Sequence, residues 1–366
     1  MASPDEVAAM RRALALSVAA LGSTNPNPSV GAVVIDAGGH VVGEGSTAAA
    51  GGEHAEVRAL RAAGEAARGS TLIVTLEPCN HCGRTPPCTD AIVAAGVARV
   101  GYALADPHPI AQGGAGRLIR AGVDVEAGIL ADDVEVVLGA WICAAGRGRP
   151  FATWKYAATL DGHTSAADGT SRWITGAEAR RDVHRERLHA DAVVVGIGTV
   201  LADDPALTVR AVPAPRQPVR VVIDSSARTP VTARVLDGSA DTLIVVGDPA
   251  DSDRVADLRR AGAEVVRLPG PDGRVDLSSF ATQLFQRGCY LVLVEGGATL
   301  AAALVRAGLI DRVVGYHAPA LLGGGSPVLG DLGIATISDA LRFRLDDVSR
   351  VGEDVRVIAR TGSAGR

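Results

Sequence analysis

Short apolar runs rich in Val, Ile and Leu alternate along this chain with stretches whose apolar residues recur at helical spacing, and no other feature constrains the fold as much. In the first half a capping box at Ser3-Pro4-Asp5-Glu6 opens a helix to about residue 21. Strands are expected at residues 29–36, 40–44, 71–75, 98–104 and 123–126, and helices at 53–66, 87–95, 114–121 and 132–144. Ala37-Gly38-Gly39 joins the first two strands as a hairpin. The polar stretch Gly146-Arg147-Gly148-Arg149-Pro150 suits a linker, after which the alternation resumes. Strands are expected at 151–157, 192–195, 219–224, 242–246, 264–267 and 291–294, with helices at 177–189, 252–261, 277–287 and 299–307. Such alternation demands sheets covered on both faces, the α/β class. At roughly 150 residues per domain, 366 residues make two domains, placed at 1–146 and 150–366. No internal repeat relates them, so two different folds are expected. Between them in character is the segment 202–218, irregular and spaced by Pro205, Pro213, Pro215 and Pro218; loops that long inside α/β domains are often functional.

Composition narrows the function. Hydrophobic residues are 47% and charged residues 21%, enough for sizeable cores and incompatible with extended disorder. A net charge of −5 and only 3% aromatics leave neither the broad positive field nor the stacking platforms that nucleic-acid binding uses, so a small-molecule substrate is expected and no nucleic acid. The most apolar stretch, 290–310, is broken by Glu295, Gly296, Gly297 and Arg306, so no membrane partner is expected. The opening MASPDEVAAMRR is acidic before it is basic and has no long apolar core, unlike a secretory signal, and the expected compartment is the cytoplasm. Of five cysteines, Cys79, Cys82 and Cys88 fall within ten residues, which suggests a metal site and not a disulfide framework.

That cluster has a partner. His54-Ala55-Glu56 follows Gly51-Gly52 at an expected helix start, and Pro78-Cys79 follows an expected strand. H-x-E followed by P-C and a further cysteine is the pattern of zinc deaminases. Two thiolates and an imidazole make a three-ligand zinc site with one position open for water, whose pKa zinc lowers toward neutrality. Glu56, not a ligand, is expected to carry the proton from that water to the departing amino group. By literal C-x-x-C spacing Cys82 is the third ligand. However, Gly83, Pro86 and Pro87 cannot sustain a helix begun at Cys79, whereas Pro87 suits a helix start that puts Cys88 in the opening turn. The expected set is therefore His54, Cys79 and Cys88, with His81 and Cys82 in the loop and Cys143 and Cys289 in the core.

The run Glu77-Pro78-Cys79-Asn80-His81-Cys82-Gly83-Arg84-Thr85-Pro86-Pro87-Cys88, with Thr24-Asn25-Pro26-Asn27-Pro28-Ser29-Val30-Gly31 upstream, closely resembles the bacterial bifunctional riboflavin-biosynthesis deaminase/reductase family. In the second half so do Lys155-Tyr156-Ala157-Ala158-Thr159-Leu160-Asp161-Gly162, Ser171-Arg172-Trp173-Ile174-Thr175 and the stretch from Thr199 to Arg210. The resemblance implies an N-terminal cytidine-deaminase-like three-layer domain with zinc and a C-terminal dihydrofolate-reductase-like domain with NADPH. It implies Asn27 and Arg84 near a pyrimidine substrate. It further implies NADPH against Ala157, Trp173, Thr199, Asp203, Ser225 and the loop Gly297, Ala298, Thr299, Leu300, Ala301, Ala302 and Ala303, and substrate at Ser171, Arg187, Leu207, Arg210 and Glu295. A homo-oligomer is also implied. The chain departs from the family where a frequent His is Thr47 and where a D-P-N-P turn reads Asp106-Pro107-His108-Pro109.

The residues of the second half alone say less. Gly196-Ile197-Gly198 lacks the third glycine of a dinucleotide fingerprint. Gly296-Gly297 at a strand-to-helix junction lets backbone amides approach a phosphate, Gly323-Gly324-Gly325-Ser326 is a further tight turn, and Arg187 and Arg210 with Ser171 and Thr208 could bind a sugar phosphate. The expected chemistry is hydrolytic deamination of a diamino-ribosylamino-pyrimidinone phosphate, then hydride delivery to its ring-opened ribose, with Asp203, Glu295 or Lys155 assisting the proton. Two other classes share the zinc motif: a tRNA or other nucleic-acid base deaminase with an accessory domain, and a zinc-stabilised scaffold without catalysis, in which Glu56 would be dispensable.

Overall fold

A computed structural model describes residues 2–82, 86–108 and 110–362 and divides the chain into two units, Met1–Gly148 and Arg149–Arg366. The first runs α1 (Pro4–Ala20), β1 (Gly31–Ile35), β2 (Val41–Ser46), α2 (Ala55–Ala63), β3 (Thr71–Leu76), α3 (Cys88–Ala95), β4 (Arg99–Leu104), α4 (Gly114–Arg120), β5 (Asp124–Ala127) and α5 (Ala131–Arg147). Its strands form one mixed sheet in the order β2-β1-β3-β4-β5, antiparallel on the hairpin side and parallel from β3 to β5. Every residue of β1 is buried, so both faces of the sheet are covered. Met10, Leu72, Ile73, Val74, Ile92, Val100, Leu118 and Leu138 share the core. Ser3 caps α1 by accepting from the Glu6 N–H, while the Glu6 carboxylate accepts from the Ser3 N–H, which is the reciprocal pair its sequence called for. At the other end the expected linker is partly helix: α5 continues through Arg147, and Gly148 closes it in the left-handed region at φ 68°. Arg147 continues the last turn at no backbone cost, so the helix ends only where glycine allows the αL turn.

The second unit runs β6 (Phe151–Thr159), β7 (His163–Ser165), α6 (Ala177–His189), β8 (Ala192–Gly196), α7 (Ile197–Asp203), β9 (Val219–Ile223), β10 (Thr242–Val246), α8 (Ser252–Arg260), β11 (Glu264–Arg267), α9 (Leu277–Gln286), β12 (Leu291–Val294), α10 (Ala298–Arg306), β13 (Arg312–Ala318), β14 (Ser326–Pro327), β15 (Phe343–Val351) and β16 (Asp354–Thr361). Nine strands make the main sheet, in the order β11-β10-β9-β8-β12-β6-β13-β16-β15, parallel from β11 through β13. Ala192 and Val194 of β8 face one core cluster and Val193 and Val195 the other, as strand alternation between two covered faces requires. Two departures from the sequence expectation stand out. Helix α7 occupies 197–203, where the sequence offers only a glycine pattern, and strands β7, β13, β14, β15 and β16 are not among the expected ones. The outer strand β15 is mostly solvent-exposed, so its Arg and Asp residues alternate with apolar ones and leave no apolar run to read. Among the described residues no helix is long and apolar enough to cross a membrane.

Candidate functional site

In the first unit, His54 is the cap residue before α2, with extended backbone (φ −72°, ψ 162°), while Glu56 lies inside the first helical turn. That break in geometry lets residues only two apart address one site. Cys79 follows the end of β3, and Cys88 is the first residue of α3 after Pro87, as the proline argument requires. His54 Nδ1 lies 3.2 Å from Cys88 Sγ and 3.5 Å from Cys79 Sγ, and the three ligand atoms all fall within 4.8 Å of one another. A tetrahedral zinc with Zn–S near 2.3 Å and Zn–N near 2.0 Å holds sulfur and nitrogen about 3.5 Å apart, so the donor set fits that ion.

The electrostatics agree. A hydrogen bond from Cys88, and the neighbouring His54, hold the Cys79 thiol down to about 4 against the opposing effect of burial. Cys88, facing that thiolate and itself buried, is pushed up. One proton is thus shared where two thiolates would repel, and a divalent cation between them would take its place. Burial, then the Cys79 charge, raises the Glu56 carboxyl to about 7, in the range a group that both takes and gives a proton needs.

Around this centre, Asn27 is half-buried in the turn before β1, its N–H donating to the Thr24 carbonyl. Thr47 is buried and its Oγ1 accepts from the Val30 N–H, leaving it a structural role at that wall. Asp106 is buried, its carboxylate accepting from the His108 N–H. His81 Nδ1 is buried without a hydrogen-bond partner among the described residues, and Cys82 is exposed. Arg84 lies outside the described residues. Sequence reasoning gave Glu77 no role, yet its carboxylate accepts from the N–H groups of Asp106 (3.2 Å) and Ala115 (2.9 Å), tying the loop after β4 to the strand that delivers Cys79. Cys289 is buried as expected, while Cys143 is only partly so.

In the second unit the residues expected at the cofactor gather along the carboxyl ends of parallel strands, the edge where open α/β sheets bind ligands. Ala157 is late in β6, Thr199 follows β8, Ser225 follows β9, and residues 297–303 follow β12. A Cβ built on Gly297 would come 4.0 Å from Thr199 Oγ1, so these two stand side by side. Leu300, Ala301 and Ala302 are buried, which leaves the N-terminal amides of α10, at Ala298 and Thr299 beside Ala303, as what that loop offers a ligand. Trp173 is 71% exposed with the Arg180 guanidinium 4.4 Å from its ring centre, and Arg172 donates to the Asp203 carbonyl at 2.6 Å, joining the Ser171–Trp173 loop to α7. Ser225 Oγ accepts from the Val275 N–H.

A second group forms around Glu295. Arg187 grips its carboxylate through two nitrogens at 2.5 and 3.0 Å, and Lys155 Nζ lies 3.3 Å away. Burial would raise this carboxyl, but the charges of Arg187 and Lys155 overcome it and hold Glu295 down to about 2. Arg187 also donates to the Thr208 carbonyl, and Arg210 to Thr208 Oγ1, both at 3.0 Å. Leu207 is 2% exposed, its side chain in the core, with φ 54°.

The first unit thus joins a His-Cys-Cys site to a buried glutamate, and the second, built on a largely parallel sheet, sets Arg187 and Lys155 against Glu295. Residues 4–104 match the model of the cytidine and deoxycytidylate deaminase zinc-binding region, and residues 150–357 match that of the RibD C-terminal domain. The chain is 45% identical over 351 residues to the riboflavin biosynthesis protein RibD of Mycobacterium tuberculosis, covering 95% of each. It is 42% identical to that of Escherichia coli, covering 94% of this chain and 96% of that one. Among solved structures, Acinetobacter baumannii RibD superposes with a TM-score of 0.89 at 38% identity, covering 98% of this chain and 99% of that one. A Thermotoga maritima protein, described as a diaminohydroxyphosphoribosylaminopyrimidine deaminase and 5-amino-6-(5-phosphoribosylamino)uracil reductase, gives 0.86 at 33% identity with the same coverage. The chain belongs to the RibD family of bifunctional riboflavin-biosynthesis enzymes, and these matches over nearly its whole length favour that reading over a nucleic-acid base deaminase.

Proposed function

We propose that the first unit hydrolyses an amino group from 2,5-diamino-6-ribosylamino-4(3H)-pyrimidinone 5′-phosphate and that the second reduces the ribosyl chain of the product to ribityl with NADPH. The observation that carries the reading is the convergence of His54, Cys79 and Cys88 within 4.8 Å, with the buried Glu56 carboxyl against them. His54, Cys79 and Cys88 would hold zinc, which would supply the Lewis acidity that activates water for attack on the ring carbon. Glu56 takes a proton from the attacking water and hands it to the leaving nitrogen, and the water's second proton ends on the adjacent ring nitrogen, so that water and the ring amidine become a carbonyl, a ring N–H and ammonia. Asn27 and Arg84 are assigned to the pyrimidine.

In the second unit Ala157, Trp173, Thr199, Asp203, Ser225 and residues 297–303 would hold NADPH, which would supply hydride for the first carbon of the ring-opened ribose. The imine nitrogen takes a proton as the C=N bond becomes CH–NH. Glu295, held ionised, has no proton to give, so between these two neighbours Lys155 is the donor, and Glu295 holds it in place. Arg187 is committed to Glu295 and Thr208, whereas Arg210 stands exposed and is assigned to the phosphate with Ser171. Leu207 contributes through its backbone. Cys79 and Cys88, drawn together with His54 as metal-ligating groups and not as a disulfide framework, support a cytoplasmic enzyme. The exposed Leu345 and Val348 on the outermost strand support a homo-oligomer.

The test is one assay on zinc-loaded protein given the diamino substrate, following ammonia and NADPH separately. Ammonia release followed by NADPH oxidation is the expected order. NADPH oxidation without prior ammonia release, or neither reaction, would overturn the assignment.

A further inference from the structure

Residues 204–218, between α7 and β9, carry Leu207, Thr208 and Arg210 but form no strand, so no neighbouring strand satisfies their backbone. Val209 is nevertheless buried, at 4% exposure, and a buried peptide group must find a partner. Gln217 provides it with both ends of one amide. Its Oε1 accepts from the Val209 N–H at 2.7 Å, and its Nε2 donates to the Val209 carbonyl at 3.1 Å, reproducing the two bonds that an antiparallel strand neighbour makes. On the following residue, His184 Nδ1 accepts from the Arg210 N–H at 3.2 Å, and on the preceding one Arg187 donates to the Thr208 carbonyl. His184 and Arg187 lie three apart on α6 and so face the same way. Three consecutive residues are thus fixed by side chains alone.

We propose that Gln217 and His184 are positioning residues of the reductase: they hold the Thr208–Arg210 backbone so that Arg210 and Thr208 meet the sugar phosphate, an inference that rests on the reductase reading of this unit. Accepting at Nδ1 requires a neutral imidazole protonated on Nε2. Burial, then the charges of Arg187 and Arg210, keep His184 down to about 4, with Glu295 opposing and Lys155 adding to them, so the ring stays an acceptor at neutral pH. Neither residue touches substrate in this scheme. Their effect passes through the backbone they hold.

The experiment is steady-state reduction by the full-length, zinc-loaded enzyme of the already deaminated pyrimidine phosphate, with Gln217→Leu, Gln217→Glu, His184→Leu and His184→Asn. The two leucine variants are expected to raise KM for the pyrimidine phosphate about tenfold, the effect of one or two lost hydrogen bonds, with KM for NADPH and the rate of ammonia release unchanged. His184→Asn, whose Oδ1 falls where Nδ1 was, restores the wild-type KM. Gln217→Glu keeps the acceptor but sets a carboxylate oxygen against the Val209 carbonyl, so its KM also rises, and it carries the test should the leucine variants not fold. Unchanged KM for the pyrimidine phosphate in Gln217→Glu and both leucine variants overturns the proposal. So does an equal rise in both KM values, which marks a purely structural role. A wild-type enzyme that reduces no deaminated pyrimidine phosphate overturns the reductase reading itself, a result distinct from either.

Discussion

Glu56 and Glu295 are both buried carboxylates, yet their surroundings drive them apart. Glu56 faces a thiolate and is raised to about 7, while Glu295 faces a guanidinium and an ammonium and is held down to about 2. The first is placed to carry a proton and the second to stay charged. Replacing Glu56 by Gln keeps its shape and removes the exchangeable proton. Ammonia release should fall by about 10²- to 10⁴-fold while metal analysis still finds stoichiometric zinc; full activity in that variant would remove Glu56 from the mechanism. For Glu295 the sign follows from linkage. Its folded pKa lies below the ordinary 4.5, so its ion pairs stabilise the fold above pH 4.5 and lose that contribution as the pH falls toward 2, about 3 kcal/mol in all. In denaturant titrations the gap between wild type and Glu295→Gln should therefore be widest near neutrality and close on acidification. A gap that ignores pH would mean that the carboxylate is not held ionised. The two sites were unequally legible. The candidate zinc ligands are marked by a local spacing of residue types, whereas Glu295 meets partners 108 and 140 positions away, a juxtaposition that no local pattern encodes; family resemblance implied only that Glu295 and Arg187 meet substrate.

At the scale of elements, the ligand loop is held by packing as much as by chemistry. Helix α4 begins at Gly114, where an added Cβ would stand 1.8 Å from the Pro78 carbonyl oxygen, one residue before Cys79. Gly114→Ala should push that loop outward, lowering zinc content and ammonia release together at an overpacking cost of about 1–3 kcal/mol. Gly116 is the control: its Cβ would meet only the flexible end of Arg120 at 3.4 Å, so Gly116→Ala should leave zinc content unchanged. Equal zinc content in the two variants would show that the contact does not set the loop. Elements with an internal signal were readable in advance. The capping box marked α1, and the apolar runs marked β3, β8, β10 and β12. The segment around Val209 was legible only as irregular, because side chains from elsewhere in the chain complete its backbone. Strand β15 was illegible because an edge strand with one row of neighbours needs no apolar run.

For the whole molecule, the order of nine strands could not be read, since β6 pairs with β12 and β13 from more than a hundred residues further on. The division into two bodies with separate cores has a thermodynamic consequence. Met10, Leu72, Ile92 and Leu138 belong to the first unit's core, and Val194, Val221, Phe280 and Leu304 to the second's. All three candidate zinc ligands lie in the first unit, where Cys79 and Cys88 pack with Ala111 in a small cluster of their own. A metal that binds only the folded form stabilises the body that holds it, by an amount set by its concentration over its dissociation constant. Chelation should therefore lower one of two transitions in scanning calorimetry and leave the other in place. The same sample should release no ammonia yet still oxidise NADPH when given the deaminated substrate. Loss of both activities on chelation would mean that the reductase depends on the metal as well, and the assignment of one chemistry to each body would fail.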